Sequence, residues 1–382
     1  MKVVIAIDSF KGSLSSAELS KNISEGIKNV FPDAEVVSVP VADGGEGTVE
    51  AFVTGTNGKI IECTVHGPLM RPVKAKYGIL GNGKTAVIEM AEASGLTLVS
   101  GKERNPLKTT TYGTGELIKD AFENGCREFI IGIGGSATND FGMGMMQALG
   151  VSFKDADGNK LPGTGGSMKK VTHIDTTNIL PGLKDCKFIV ACDVDNPLYG
   201  EFGAAYVYSP QKGADEETIK QLDEGLRKLS ETIRKELGKD IADIPGAGAA
   251  GGLGGAFVAF LDGELRSGIE IVLKALEFEK KAEGADVVIT GEGRIDGQSV
   301  MGKAPTGVSK ICKKKGIPVI AFAGSLADNV TAIHDYGITA LFSIMNYPMR
   351  LKEAMNPETA SNLIRKNTEE VFRLIKAFNH RH

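Results

Sequence analysis

Five segments of this sequence carry carboxylates, four of them beside glycines, and two add a cation. Asp8 precedes Lys11 and Gly12; Asp43-Gly44-Gly45-Glu46-Gly47-Thr48 follows; then come Gly134-Gly135-Ser136-Ala137-Thr138-Asn139-Asp140, Asp193-Val194-Asp195-Asn196-Pro197 and Glu292-Gly293-Arg294-Ile295-Asp296. Glycine loops let backbone N–H groups approach an anion, carboxylates suit Mg²⁺, and Lys11 and Arg294 suit the oxygens of a phosphate or a carboxylate. Phosphoryl transfer runs mostly on positioning and charge neutralisation, so these groups, with one carboxylate to take a hydroxyl proton, form a sufficient kit. Singly, each segment also reads as a turn or a helix cap, where Asp, Asn, Gly and Ser are common. Their joint recurrence is what favours a ligand site. A sixth segment, Pro245 to Gly255, carries Gly251, Gly252 and Gly254 and has two readings: a phosphate cradle, or small residues that let a helix pack closely. A helix beginning at Ala250 favours the first.

These segments follow strand-like runs, as ligand sites do at the carboxyl ends of strands in open parallel sheets. Val3 to Ile7 is apolar on both faces, and Ser15-Ser16-Ala17-Glu18 is a capping box opening a helix striped by Leu19, Ile23 and Ile27. Glu35 to Val39 completes a β-α-β unit. Asp286 to Thr290, Ile317 to Ala323 and Ile338 to Ile344 repeat the pattern late in the chain, around helices near 304–315 and 328–335, and a closing helix starts at Asn356-Pro357. Between these halves, Ile60 to Val65, Val73 to Leu80 and Thr85 to Met90 are joined by turn signals, which predicts antiparallel hairpins. Glu128 to Ile133 and Lys187 to Cys192 add strands. The expected architecture is therefore α/β with two domains: a parallel-sheet domain from residues 1–57 and 283–382, interrupted at 58–282 by a second α/β domain with a mixed sheet.

Composition narrows the partners. A formal net charge of -4 over 382 residues leaves no basic surface for nucleic acid, and no apolar run approaches the roughly 18 residues of a membrane span. The amino-terminal apolar run is too short for a signal peptide, so a cytoplasmic protein is expected. Five cysteines without C-x-x-C spacing suggest reduced thiols, and no zinc site.

Two motif matches fail on context. Gly78 to Thr85 fits the phosphate-loop pattern, but a strand-like run follows where a helix is needed, and Asn82-Gly83 signals a type I′ hairpin. Gly132 to Ala137 fits the dinucleotide pattern without an acid ending the next strand at the right distance.

The strings "DSFKGSLSS", "PVADGGEGT", "TAVIEMAEASGL", "GIGGSATND", "CDVDNPL", "PQKGA", "PGAGAAGGLGG", "TGEGRIDGQS" and "GKAP" resemble the bacterial glycerate kinase family, in the family's order from Asp8 to Ser325. The resemblance implies a Rossmann-like or flavodoxin-like domain interrupted by a second α/β domain. It implies ATP-dependent phosphorylation of D-glycerate to 2- or 3-phosphoglycerate in an interdomain cleft, with ATP and Mg²⁺ as the cofactors. One departure is Phe141, where the family more often has glycine.

On that footing Asp193 is expected to accept the hydroxyl proton, with Asp140 as the alternative. Lys11 and Arg294 would hold the glycerate carboxylate or the transferring phosphoryl group. Gly134, Gly135, Ser136, Asn139, Gly251, Gly252 and Gly254 are the expected nucleotide contacts. Asp8, Asp43, Gly44, Gly45, Asn196 and Asp296 are expected at the substrate, and Glu292 and Asp195 at the metal. Two other readings stay open, a nicotinamide-dependent hydroxy-acid oxidoreductase and a non-catalytic small-molecule sensor. A homo-oligomer is an open possibility too.

Overall fold

A computed structural model describes residues 1–42, 44–45, 47–296, 303–328 and 330–379. The chain is α/β and divides into two compact units, one from Met1–Asp43, Glu50–Gly55 and Ile269–His382, the other from Gly44–Val49 and Thr56–Gly268.

The first unit is built on a five-stranded parallel sheet. Its strands in chain order are Lys2–Ile7, Glu35–Ser38, Val287–Ile295, Val319–Leu326 and Ala340–Ser343, and their spatial order is second, first, third, fourth, fifth. That is a flavodoxin-type order, whose topological switch point lies between the first and third strands. The register there pairs Val3 with Val287 and Ile7 with Gly291. Val3 to Ile7 are fully buried, as expected of a strand covered on both faces by helices. The capping box forms as read: Ser15 Oγ accepts the Glu18 N–H at 3.2 Å, and the Glu18 carboxylate accepts the Ser15 N–H at 2.9 Å. The helix Ser16–Val30 lies against the closing helix Pro357–Asn379. Gly26 permits the approach, since a Cβ there would sit 2.7 Å from the Arg365 carbonyl oxygen.

The third strand is longer than the sequence suggests. It runs on through Gly291, Glu292, Gly293 and Arg294, pairing Glu292 with Ala323 and Arg294 with Ser325. A Gly-Glu-Gly string reads as loop because glycine and glutamate are poor strand formers, and pairing to the neighbouring strand overrides that preference. Glu292 and Arg294 therefore stand on the sheet itself.

The second unit holds a six-stranded mixed sheet, in the order Glu264–Arg266, Lys187–Ala191, Glu128–Gly132, Thr85–Glu89, Pro72–Ile79, Lys59–His66. The first three pairings are parallel and the last two antiparallel. Phe129 and Phe188 stack at 4.7 Å in its core. The helix Glu216–Leu237 starts at the Asp215 cap, ends at left-handed Gly238 and buries Leu222, Leu226, Leu229 and Ile233. A small antiparallel pair, Ser152–Lys154 with His173–Asp175, was not anticipated.

Both rejected motifs sit where that rejection requires. Residues 80–84 turn a hairpin, and the dinucleotide-like Gly132 to Ala137 opens no helix, the next being Met143–Ala148. The turn type differs from the expected I′, because Gly83 is left-handed (φ 68°) and Asn82 is not among the positive-φ residues. Gly83 N–H bonds to Leu80 O at 2.9 Å, and Asn82 Oδ1 accepts the N–H groups of Lys84 and Thr85 at 3.0 Å. Asn82 thus acts through its side chain, as in a longer hairpin with one left-handed glycine.

Candidate functional site

In the first unit, the Asp8 N–H continues the sheet by bonding Gly291 O at 3.0 Å. The chain then folds tightly. Phe10 and Leu14 exchange backbone bonds of 2.8 and 3.0 Å, and Ser16 Oγ donates to Ile7 O at 2.7 Å. This buries Asp8, whose Oδ1 accepts the Ser9 N–H at 2.7 Å, and leaves Lys11 exposed on the turn. On the adjacent strand Glu292 is buried, with Lys303 Nζ 3.6 Å from its Oε2, while exposed Arg294 holds Nε 3.7 Å from Asp296 Oδ2. One cavity of about 570 Å³ takes in Asp8, Lys11, Glu292, Arg294 and Lys303 together. Two carboxylates and three cations thus meet at the switch point of the sheet.

The remaining expected residues belong to the second unit, except Asp43, which lies outside the described residues. Gly44 is left-handed (φ 88°), and a Cβ on it would sit 2.7 Å from Ala191 Cβ; Gly45 is half-buried beside it. Asp193 is exposed, and its Oδ1 accepts the Gly268 N–H at 3.0 Å. Asp195 is exposed as well. Asn196 is engaged in its own loop, donating to Phe202 O at 2.8 Å and accepting from the Tyr208 hydroxyl.

Gly134 and Gly135 are exposed, but the rest of their loop dives inward. Asp140 is fully buried: Oδ2 accepts from Thr111 N–H and Thr111 Oγ1, each at 2.8 Å, and from Gly144 N–H at 3.2 Å, and Oδ1 accepts from Gly142 N–H at 3.1 Å. Burial pushes its carboxyl above the usual range, and these donors pull it back. Asn139 is fully buried as well, and among the described residues neither end of its amide finds a hydrogen-bond partner. Behind the loop, Lys212 is 1% exposed, its Nζ donating to Ser136 Oγ at 2.7 Å and Thr138 O at 2.6 Å. Burial lowers this ammonium to about 7, against the opposing charge of Asp140.

The glycine-rich segment packs closely. Ala250, Gly251 and Gly252 are left-handed, so regular helix begins only after Gly252. A Cβ on Gly251 would lie 2.2 Å from Thr138 O, one on Gly252 2.9 Å from the Phe141 ring, and one on Gly254 2.4 Å from Gly246 O. Small residues here bring this backbone against the 138–141 loop. Phe141 is itself left-handed (φ 53°) and fully buried in this unit's core, so its ring is a packing element of that core.

Among the described residues, no three or more His, Cys, Asp or Glu gather as a metal cage. Mg²⁺ rarely needs one, taking one or two carboxylates, waters and substrate phosphates. Asp8 and Glu292 are two carboxylates lining one cavity, and Asp195 belongs to the second unit.

The family model described as "Glycerate kinase family" matches residues 3–376. The chain belongs to the glycerate kinase family. It is 54% identical over 354 residues to a "Glycerate 2-kinase" of Escherichia coli (strain K12), covering 93% of each chain. It is 49% identical over 376 residues to a "Glycerate kinase" of Bacillus subtilis (strain 168), covering 98% of each. A crystal structure titled as that of a candidate glycerate kinase 2 from Salmonella typhimurium LT2 superposes with a TM-score of 0.91 at 46% identity, over 100% of this chain and 99% of that one.

In this glycerate kinase family member, sequence reasoning missed Lys212 as a site-supporting group. The only signal was its place in Pro210-Gln211-Lys212-Gly213-Ala214; a lysine between proline and glycine reads as solvated. Lys303, opposite Glu292, was missed for the same reason.

Proposed function

We propose that this chain transfers the terminal phosphoryl group of ATP to a hydroxyl of D-glycerate, yielding ADP and 2- or 3-phosphoglycerate, with Mg²⁺ as the accompanying cation. Its membership of the glycerate kinase family over residues 3–376 carries the reading. The cavity that gathers Asp8, Lys11, Glu292 and Arg294 supports it, because it holds the cations and carboxylates that phosphoryl transfer requires. The hydroxyl oxygen forms the new bond to phosphorus, the bond to the bridging oxygen of ADP breaks, and the proton passes to a carboxylate.

Asp193 is the proposed acceptor of that proton. It is exposed and a backbone N–H orients one of its oxygens, whereas Asp140 is enclosed by four donors that fix its loop. Lys11 and Arg294 are assigned to the phosphoryl oxygens or the glycerate carboxylate, and Glu292 with Asp8 to the cation. The exposed amides of Gly134 and Gly135 remain proposed ligand contacts. Asn139, Gly251, Gly252 and Gly254 are buried and are assigned to shaping the loop. No helix of the described residues is long and apolar enough to cross a membrane, and a cytoplasmic location is proposed with the function.

The test is ADP release from MgATP with and without D-glycerate, followed by ³¹P NMR of the product. Glycerate-dependent ADP with a phosphoglycerate signal supports the reading and identifies the hydroxyl. The E. coli relative's name points to the 2-phosphate as the product to look for first. Binding of D-glycerate with no ADP formed would sink it.

A further inference from the structure

The cavity of the first unit has a second wall that phosphoryl chemistry alone does not use. Beside Lys11 and Arg294 the same cavity is lined by Phe10, Ile344, Met345, Met349, Leu351 and Met355. Phe10 and Ile344 are buried, while Leu351 is 75% and Met355 37% exposed at the same cavity. Large apolar side chains left in water beside a charged wall mark a place where something amphipathic sits. The volume, about 570 Å³, falls among small-molecule sites of roughly 300–1,000 Å³. D-Glycerate, three carbons bearing only hydroxyls and a carboxylate, would leave most of that space and the entire apolar wall unused.

The position in the fold agrees. Asp8 follows the first strand, Glu292 and Arg294 stand on the third, Ser325 is near the end of the fourth, and Ile344 follows the fifth. The cavity therefore extends from the switch point along the carboxyl ends of the sheet, where open α/β folds hold phosphate-bearing ligands. Methionine suits a flat heteroaromatic ring, since its flexible thioether adapts to the ring and makes favourable sulfur–aromatic contacts.

We propose that this cavity is the nucleotide subsite: the adenine of ATP lies on the Ile344, Met345, Met349 and Met355 wall, and its phosphates face Lys11, Arg294 and Lys303. The assignment rests on the reading of the chain as an ATP-dependent kinase. It moves the nucleotide from the glycine loops of the second unit, where the sequence alone suggested it, to the first. Lys11 and Arg294 then act on phosphate oxygens, and the glycerate carboxylate needs another partner.

The test is direct binding of ATP by calorimetry to the full chain, without glycerate, for wild type, Met355→Glu and Leu351→Glu. Both positions are exposed enough to accept glutamate without unfolding, which a thermal melt checks; Met355→Lys, of opposite charge and similar size, controls for shape. Met355→Glu is expected to weaken ATP binding at least roughly tenfold, about 1.4 kcal/mol, with Met355→Lys weakening it less. The KM for D-glycerate should stay within about twofold. Unchanged ATP affinity in both glutamate variants overturns the assignment, as does a rise confined to the glycerate KM. Because the readout is ATP affinity, a wild type that binds ATP with this pattern yet releases no ADP sinks the kinase reading and leaves the subsite standing. A wild type that binds no ATP overturns the subsite.

Discussion

Lys212 Nζ donates to the Thr138 carbonyl oxygen at 2.6 Å from a position 1% exposed to solvent. A buried ammonium that ties down the 134–140 loop is a stability element with a pH signature. The lysine titrates at about 7 when folded, against 10.5 as its ordinary value. Between those values the unfolded chain holds more protons than the folded one, so stability rises with pH across that window and is flat below it, as far as this group is concerned. Lys212→Met should flatten that slope. It should also cost about 1–3 kcal/mol near neutral pH by leaving Ser136 Oγ and Thr138 O without their donor. Urea midpoints from pH 6.5 to 10 for both proteins check it.

Asp140→Asn exchanges an all-acceptor carboxylate for a group whose NH₂ must face N–H or O–H donors from Thr111, Gly142 and Gly144. A loss of about 2–3 kcal/mol is expected, in line with charge-assisted bonds broken in the interior. Chemical denaturation measures it, and a variant as stable as wild type would remove Asp140 from its loop-fixing role.

Asp193→Asn should keep ATP affinity and lower turnover by at least roughly a hundredfold, the range expected for losing a general base. Its exposed position makes a folding defect an unsuitable explanation for such a loss. Steady-state rates beside ATP calorimetry separate the two effects, and near-normal turnover would return the role to another carboxylate.

Phe141→Gly sets two terms against each other. A left-handed non-glycine backbone costs about 1–2 kcal/mol, which glycine relieves, while losing a fully buried ring costs about 3–5 kcal/mol. The ring contacts the places where Cβ atoms would stand on Gly252 and Gly255, so its removal opens space in a packed core. A net loss of roughly 2–3 kcal/mol is expected, read as a lower urea midpoint; a gain would mean that backbone strain outweighs packing here.

The α/β class and the five parallel strands were legible because buried strands are continuous apolar runs and the helix after Ile7 opens on a capping box. That Asp8, Lys11, Glu292 and Arg294 gather in one place was legible too, from residue type and from the strands they follow. The extension of the third strand through Gly291 and Gly293 was not, because a neighbouring strand's pairing overrides local propensity there. Nor were the buried states of Lys212 and Asn139, or the left-handed run at Ala250 to Gly252. Those arise from contacts distant in sequence, and a lysine or an asparagine destined for the interior looks the same on paper as one in water. The apolar half of the cavity was missed because Met345, Met349 and Met355 lie in an irregular stretch with no period to read.

The pairing of Val3 with Val287 bears on how the protein comes off the ribosome. The first strand is made before the long stretch of the second unit and its partner only after it, so the closure of this sheet is a contact of very high sequence separation. Until Val287–Ile295 emerges, one edge of an apolar amino-terminal strand stays open to mispairing. Domains generally fold as units during synthesis, so the unbroken stretch from Thr56 to Gly268 is free to condense first, and the parallel sheet becomes the late, slow and aggregation-exposed step.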